Sequence, residues 1–359
     1  MFVSEVPARI CFFGEHQDYL GLPVIACAIP LCCRIEVRVA NRSSSRRLLV
    51  LRVPQLDQTT TYDLDSLPPQ QSPRALNNDP DFALAAIHEA IVDGWELTGA
   101  ECTSTTEFPM QAGISSSSAF CVAWFHVLAK LAGKTPISPI ELARLAHRAE
   151  VAHFDAPGGT MDHVTCAVGG MLRIGPGKWD VTLLNSNKNT ESRGVWILAY
   201  SGEPKDTLKH LHRCKNARLS LYEKLGENWD CDDEGILSSL TVDEKQLLET
   251  TLINRNTERQ AAQHWNSAAG ETIAEWMQHH HNALRDGLHL SSIRLEALNE
   301  AAQSAGAWGF KVVGSGGGGC GVAWTSPSLA QTVAAAMERA GAPNTWIIQE
   351  PARGAQLKP

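Results

Sequence analysis

The sequence predicts an α+β fold built from two domains, and three observations support this prediction. The chain has 359 residues, which is enough for two compact units that share an interface. Short apolar segments that end at turns predict buried strands, and longer segments with helical spacing of apolar residues predict helices. Helices on a mainly antiparallel sheet are typical of α+β proteins. We expect one domain at 1–190 and a second at 191–359, with the boundary near residue 190.

The N-terminal domain is predicted to begin with two strands. Residues 8–14 form an apolar run that ends at a glycine, which indicates a buried strand. Residues 34–39 alternate between charged and apolar side chains, with Val39 the last residue on the apolar face, so they predict a half-buried strand. The polar and proline-rich stretch at 55–80 predicts a surface loop.

Helix start and stop signals follow. A helical pattern covers 81–93, and a second helix, which Gly133 closes in the C′ position, contains Phe120 and Leu131. A third opens at Ser138 with a capping box and a proline at its first position. Amphipathic helices are predicted between about 205 and 305, and the remaining elements are strands at 196–199, 310–313, 321–324 and 346–349 and a helix at 329–340.

The composition excludes several classes of function. Asp and Glu (39) outnumber Lys and Arg (31), and no basic stretch is available to neutralise a nucleic-acid backbone. No apolar run has the length of a membrane span and no signal sequence is recognisable, so we expect a cytoplasmic protein that binds no membrane. None of the ten cysteines, Cys231 included, forms a CxxC pair, so we predict reduced thiols rather than a zinc site or a disulfide framework. The run 279–281 is three histidines inside a predicted helix; since consecutive residues do not share a face, we predict surface and partly buried positions, not a metal site.

Polar residues cluster directly after the first predicted strand, where Arg9, Glu15, His16 and Asp18 fall within ten residues. Side chains at the end of a rigid strand are well placed to bind a polyol, whose hydroxyls need both donors and acceptors. The alternative interpretation is a charged loop after a strand.

A serine-rich segment at 109–119 directly precedes a predicted helix. Small residues at a helix N-terminus expose backbone N–H groups and the positive end of the helix dipole, which favours a phosphate. A serine hydroxyl there can also bind Mg²⁺. The spacing is not that of a P-loop, and the alternative is an N-cap; however, capping needs one serine and four stand here in a row.

Two further segments carry candidate residues. The glycine-rich stretch at 310–321 lies between two apolar strands, which indicates a tight loop inside a folded unit rather than a linker. Asp162 follows a glycine-rich turn at 157–159, and Glu150 ends the helix before it. From the residues alone, Asp162 is either a first-turn residue of a short helix or a catalytic carboxylate.

In this order, the segments resemble the galactokinase branch of the GHMP kinases. PARICFFGEHQDYLGL resembles the family's first motif, PGRxNLxGEHxDYxGG, and PMQAGISSSSA its second, PxGxGLSSSAA. KVVGSGGGGC is similar to the third motif, KxTGAGxGGC, and GTMDH to the galactokinase stretch GIMDQ. The resemblance covers most of the chain and is weakest at 40–95 and 215–270.

The resemblance implies a two-domain GHMP kinase fold, with a ribosomal S5 domain 2-like N-terminal domain and a ferredoxin-like C-terminal domain. It also implies transfer of the γ-phosphoryl of ATP, with Mg²⁺, to a hydroxyl of a galactose-like sugar, the anomeric hydroxyl being expected. Asp162 would be the base and Arg9 would neutralise charge. The residues implied for the sugar are Glu15, His16, Asp18 and Gly159. Those implied for ATP are Gly113, Ser115, Ser116, Ser117, Gly314, Gly316 and Gly317, and those for the metal are Ser116 and Glu150.

The sequence departs from the family pattern in places that bear on the acceptor. Gln17 stands where threonine is usual, Gln111 replaces a glycine, and Ser118 replaces a small apolar residue. The tyrosine-bearing segment that touches the sugar in galactokinases is not recognisable at 201–225. A uronic acid, a pentose or a mevalonate-like alcohol therefore remains an alternative acceptor, as does a catalytically silent sensor of sugar and ATP. The expected partners are the small-molecule acceptor and ATP, and the expected state is a monomer or homodimer.

Overall fold

The computed structural model describes residues 1–40, 46–69, 80–177, 179–185, 193–204, 207–226 and 238–359. Its strands are β1 (Phe2–Phe13), β2 (Val24–Val39), β3 (Leu48–Val53), β4 (Gln58–Asp63), β5 (Ala100–Thr106), β6 (Met171–Ile174), β7 (Val181–Leu183), β8 (Val195–Tyr200), β9 (Gly309–Val312), β10 (Cys320–Thr325), β11 (Asn344–Ile348) and β12 (Gln356–Lys358). Its helices are α1 (Phe82–Val92), α2 (Ser116–Leu131), α3 (Pro139–His147), α4 (Met161–Val168), α5 (Thr207–Leu225), α6 (Val242–His264), α7 (Gly270–Leu288), α8 (Ile293–Ser304) and α9 (Ala330–Arg339).

The strands form two sheets. The first has the order β12-β1-β2-β5-β3-β4, with β6 paired to β2 and β7 to β6. All of its pairings are antiparallel except that of β3 with β5. The second has the order β11-β8-β10-β9 and is antiparallel throughout. The predicted α+β class and the two-domain architecture are confirmed.

Strand β1 lies where the two sheets meet. Its apolar run is fully buried, and the ring of Phe12 lies 5.1 Å from that of Trp196 in β8 and 5.3 Å from that of Trp324 in β10. Aromatic pairs at such distances contribute beyond the area they bury. The end of β1, and the polar loop that follows it, are therefore held at the junction of the two halves of the molecule.

The sequence predicted the starts of α1 and α3 and the end of α2 correctly. Asp81 accepts the N–H of Leu84 at the start of α1, and Ser138 accepts the N–H of Glu141 at 3.2 Å at the start of α3. Gly133, with a φ of 68°, follows the end of α2 as expected. Helix α3 ends at His147 and continues as a π-helical turn over Arg148–Ala152.

Three predictions were wrong. Residues 55–80 are not all loop, because β4 lies within them and pairs with β3; its side chains are mostly exposed, so it shows no apolar alternation. Val39, the last residue of β2, is 49% exposed although the alternation placed it on the buried face. The histidine run was expected at surface and partly buried positions; His279 is exposed, but His280 is fully buried against β1 and His281 against β9.

Other predictions concern the chain as a whole. The boundary near residue 190 falls in 186–192, outside the described residues, as does Cys231. Strand β12 pairs with β1, so the chain returns to the first sheet after it has built the second. Across the described ranges, none of the nine cysteines forms a disulfide bond, and no helix has both the length and the apolar character to cross a membrane.

Candidate active site

Arg9 connects three of the predicted motifs. Its position in β1 fixes its backbone, whose N–H donates to the carbonyl of Ile114 at 3.2 Å. Its guanidinium donates from Nε to Oδ1 of Asp162 at 2.8 Å and from Nη1 to the carbonyl of Gly113 at 2.9 Å. Burial would lower the pKa of Arg9, but the Asp162 carboxylate outweighs that effect and raises it, so the residue stays a cation.

Asp162 lies in the first turn of α4, and its side chain is 29% exposed toward a cavity. Burial alone would raise the pKa of this carboxyl. The charge and the hydrogen bond of Arg9 outweigh it and hold the pKa below its usual value. Asp162 is therefore ionised at neutral pH, in a position to accept a proton.

Asp18 is a second carboxylate in the same cavity, but its pKa is shifted the other way. Burial raises the pKa, and the negative charge of Asp162 raises it further, to about 6. Two backbone N–H groups hold the side chain, that of Tyr19 at 2.9 Å and that of Met161 at 3.3 Å. A Cβ on Gly159 would lie 1.9 Å from Oδ2 of Asp18, so the carboxylate occupies space that only a glycine leaves open.

The serine-rich segment forms a turn that leads directly into α2. Gln111, Gly113 and Ser115 have φ values of 58°, 81° and 65°, in the left-handed region. The first N–H of this helix with an intrahelical acceptor is that of Ala119, which donates to the carbonyl of Ser115 at 2.9 Å. The N–H groups of the preceding turn lack an acceptor within the helix, as at any helix start, and can bind an anion.

Glu150 faces this turn from the π-helical segment. Its Oε2 lies 2.7 Å from Nε2 of His163, and its side chain is 12% exposed. Burial raises the pKa of Glu150, but hydrogen bonds from His163, Ser117 and Ser118 outweigh it and lower the pKa. The site thus presents an ionised carboxylate beside serine hydroxyls, while within the described ranges no three His, Cys, Asp or Glu residues form a metal cluster.

The glycine-rich third motif reaches the cavity only in part. Gly314 and Ser315 line it. Gly316 and Gly317 do not line it. A Cβ on Gly316 would lie 2.5 Å from the Cβ of Leu290, and a Cβ on Gly317 would lie 2.1 Å from Nε2 of His210. These two glycines let the loop pack closely against the segments that contain Leu290 and His210. The structure does not place them in the cavity with the other residues implied for ATP.

Glu15 also has a partner that the sequence did not indicate. Its Oε1 pairs with Nζ of Lys311, which is the first residue of the third motif, and both side chains are almost completely buried. Lys311 also donates to the carbonyl of Val312 at 2.7 Å. This ion pair joins the first motif to the second sheet. Lys311 lies inside a segment that had been singled out, yet nothing in the sequence pairs two residues 296 positions apart.

One cavity of about 470 Å³ collects most of the predicted site residues. Its remaining wall includes residues that sequence reasoning did not select, namely Tyr19, Val151, His163 and Leu211. The predicted residues that line it are Arg9, Glu15, His16, Asp18, Gly113, Ser115, Ser116, Ser117, Glu150, Gly159, Asp162 and Gly314.

Comparison with family models gives three matches. Residues 81–170 match the GHMP kinases N terminal domain, and residues 268–343 match the GHMP kinases C terminal domain. Residues 1–39 match the galactokinase galactose-binding signature. Together these segments cover more than half of the chain.

Proteins with similar sequences include mevalonate kinases and galactokinases. The mevalonate kinase of Pyrococcus horikoshii is 26% identical over 94% of this chain and 92% of its own. The galactokinase of Mycobacterium bovis is 24% identical over 93% of this chain and 92% of its own.

Solved structures agree on the fold. Lactococcus lactis galactokinase complexed with galactose superposes with a TM-score of 0.79 at 18% identity, covering 99% of this chain and 95% of that one. Methanococcus jannaschii mevalonate kinase superposes with a TM-score of 0.72 at 16% identity, covering 97% of this chain and 98% of that one. The chain therefore belongs to the GHMP kinase family, and it carries the galactose-binding signature of the galactokinases.

Proposed function

We propose that this chain is an ATP-dependent kinase that phosphorylates a hydroxyl of a galactose-like sugar, at the anomeric carbon. The observation that carries the proposal is the Arg9–Asp162 pair. It lies in one cavity wall between the polar loop after β1 and the serine turn before α2. An acceptor held by the loop and a phosphate held by the turn would meet at this pair.

Asp162 is the residue we assign as the base. It is ionised at neutral pH because of Arg9, and it accepts the proton of the attacking hydroxyl. A carboxylate with a lowered pKa is a weak base. The loose transition state of phosphoryl transfer tolerates this, because the hydroxyl needs little activation before the bond to phosphorus forms.

Arg9 contributes charge and position. Nε donates to Asp162 and Nη1 to the carbonyl of Gly113, which fixes the guanidinium between the base and the phosphate-binding turn. A fixed cation at this point stabilises charge on the transferred group without reorganisation.

The donor set near α2 fits Mg²⁺. Glu150 and Ser116 line the same cavity and offer oxygen ligands, of which the carboxylate is ionised. Mg²⁺ prefers oxygen ligands and usually takes only one or two carboxylates, the rest coming from phosphates and water. Bound there with ATP, the ion would neutralise phosphate charge. His163 holds one oxygen of Glu150 and so orients the carboxylate.

Two observations favour a sugar as the acceptor. The galactose-binding signature covers the segment that contains Glu15, His16 and Asp18. Asp18 can accept hydrogen bonds from hydroxyls, and its position is defined by two backbone donors and by Gly159.

A mevalonate-like alcohol is the second candidate. The mevalonate kinase of Pyrococcus horikoshii matches along almost the whole chain. The base, the cation and the phosphate turn would serve any alcohol, so the choice depends on the residues that hold the acceptor, among them those of the loop after β1.

The test is ADP release across a panel of hexoses, pentoses, uronic acids and mevalonate, at equal ATP and Mg²⁺. We expect turnover with a galactose-like sugar and none with mevalonate. Turnover with mevalonate alone would select the second candidate. Folded protein that binds ATP but turns over none of the panel would contradict both and favour a sensor.

A further inference from the structure

Four residues from three separate segments form a chain of hydrogen bonds beside the acceptor loop. Nε2 of His16 lies 3.2 Å from the carbonyl oxygen of Ser315, and Nδ1 lies 3.0 Å from the hydroxyl of Tyr19. That hydroxyl also accepts from Nη2 of Arg218 at 2.6 Å. Arg218 belongs to α5, 199 positions after Tyr19, in the part of the chain where no sugar-contacting segment was recognisable.

With the His16 ring neutral, the chemistry of the partners gives the direction of each bond. A carbonyl oxygen only accepts, so the proton of the neutral His16 ring is on Nε2 and points to Ser315. Nδ1 is then an acceptor, and the hydroxyl of Tyr19 donates to it. Arginine only donates, so Arg218 occupies one lone pair of the Tyr19 oxygen. One lone pair of that oxygen remains.

Burial makes this arrangement rigid. Arg218 is 0% exposed and His16 is 4% exposed. Nε of Arg218 donates to the carbonyl of Cys214, and the guanidinium lies 5.5 Å from the centre of the Tyr19 ring. His16 has a φ of 62°, an uncommon conformation for a residue with a side chain, which must be held by such contacts.

We propose that Tyr19 binds a hydroxyl of the acceptor through its remaining lone pair, and that Arg218 is a positioning residue that orients Tyr19 for this contact. Tyr19 and His16 both line the cavity, at the loop that carries Asp18. A lone pair accepts a hydrogen bond from a hydroxyl, so the contact fits a hydroxyl of the acceptor. The inference rests on the proposed function and adds one contact to its acceptor.

Tyr19→Phe keeps the ring and removes the hydroxyl, together with its bonds to Nδ1 of His16 and Nη2 of Arg218. The loss of one buried hydrogen bond to an oriented acceptor is expected to raise KM for D-galactose about tenfold, with KM for ATP unchanged within about twofold. Tyr200→Phe, which removes a hydroxyl outside the cavity, is the matched control and should leave both KM values unchanged.

Arg218 is tested by a pair of variants. Arg218→Met removes the donor and should reproduce the rise in KM for galactose, while Arg218→Lys, which can still donate to Tyr19, should restore part of it. Arg213→Met on the same helix is the control. In the double variant with Tyr19→Phe, the rise should be no larger than for Arg218→Met alone, because the two residues act on one contact.

The outcomes separate the two proposals. A wild-type protein that phosphorylates no sugar overturns both. A wild-type protein that phosphorylates galactose, together with a Tyr19→Phe variant of unchanged KM for galactose, overturns this inference and leaves the proposed function intact. If Arg218→Met does not fold, as judged by circular dichroism, Tyr19→Phe decides the question alone.

Discussion

At the scale of single residues, two carboxylates in one cavity have opposite properties because one arginine faces only one of them. Arg9 donates to Asp162 and lowers the pKa of that carboxyl, and the resulting negative charge helps to raise the pKa of Asp18 to about 6. Pairs of acids whose pKa values are pushed apart are a common feature of active sites. The same contact thus fixes one residue as an ionised base and leaves the other able to titrate near neutrality.

The raised pKa of Asp18 has a consequence for the acceptor. As the pH falls through about 6, the carboxyl takes up a proton and loses acceptor capacity for hydroxyls, so kcat/KM for the sugar should fall about tenfold per pH unit. Asp162 stays ionised over this range and does not contribute to the decline. Asp18→Asn should lower kcat/KM and abolish its decline below about pH 6. A decline that persists in the variant would show that another group titrates.

Gly159 gives a test of steric fit. A Cβ at this position would meet Oδ2 of Asp18 at 1.9 Å, whereas a Cβ on the adjacent Gly158 would lie 3.3 Å from Cγ2 of Val151. Gly159→Ala must therefore displace the Asp18 carboxylate, and we expect KM for the acceptor to rise at least about tenfold, the size of one lost charge-assisted hydrogen bond. Gly158→Ala is the matched control and should change KM by no more than about twofold. Equal effects of the two variants would contradict the role assigned to Asp18.

At the scale of elements, local signals in the sequence predicted what depends on local chemistry. The cap at Ser138 and the glycine after α2 marked helix ends correctly, because a cap is satisfied by residues three or four positions away. Strand β4 was missed because its side chains are polar on both faces and its only signal is pairing with β3. The full burial of His280 and His281 was missed for a similar reason, since the strands that cover them, β1 and β9, belong to other segments of the chain.

Strand β12 shows how much a short element can contribute. The segment after Glu350 makes three backbone hydrogen bonds in addition to the pairing of β12 with β1. The N–H of Gly170 donates to the carbonyl of Ala352, the N–H of Ala352 to that of Ala28, and the N–H of Ala355 to that of Ala167. At about 1 kcal/mol for each backbone hydrogen bond, a protein that ends at Glu350 should lose more than about 3 kcal/mol of unfolding free energy in urea, because the bonds between β12 and β1 are lost in addition to these three. Lys358→Ala removes only an exposed ion pair with Glu5 and should cost less than about 1 kcal/mol. Similar losses in the two variants would contradict the role given to the backbone pairing.

At the scale of the whole molecule, the site exists because two sheets are joined around β1. The motifs could be found in the sequence, and their joint order predicted the family and many of the residues that line the cavity, although Tyr19 and Leu211 were missed and Gly316 and Gly317 lie outside it. The contacts that join them could not be predicted, because Glu15–Lys311 and Tyr19–Arg218 link segments 296 and 199 positions apart. Periodicity and capping contain no information on such pairs, which depend on how the second half folds onto the first.

The pair Glu15–Lys311 can be tested as a link between the halves. Lys311→Met leaves the Glu15 carboxylate buried without its cation, which costs about 3–5 kcal/mol when one partner of a buried pair is removed. The double variant Glu15→Gln, Lys311→Met buries no charge and should recover most of that loss in urea unfolding. No recovery in the double variant would show that the pair does not account for the cost.

The central claim is that Asp162 and Arg9 together serve phosphoryl transfer to a sugar hydroxyl, and the direct test is transfer of label from γ-³²P-ATP to D-galactose by the wild-type protein and by Asp162→Asn. We expect labelled sugar phosphate from the wild type and a rate about 10²–10⁴-fold lower from the variant, with ATP binding retained. Asp57→Asn, at an exposed turn, is the control and should match the wild type. Transfer by Asp162→Asn at the wild-type rate, or no labelled sugar from the wild type, would contradict the claim.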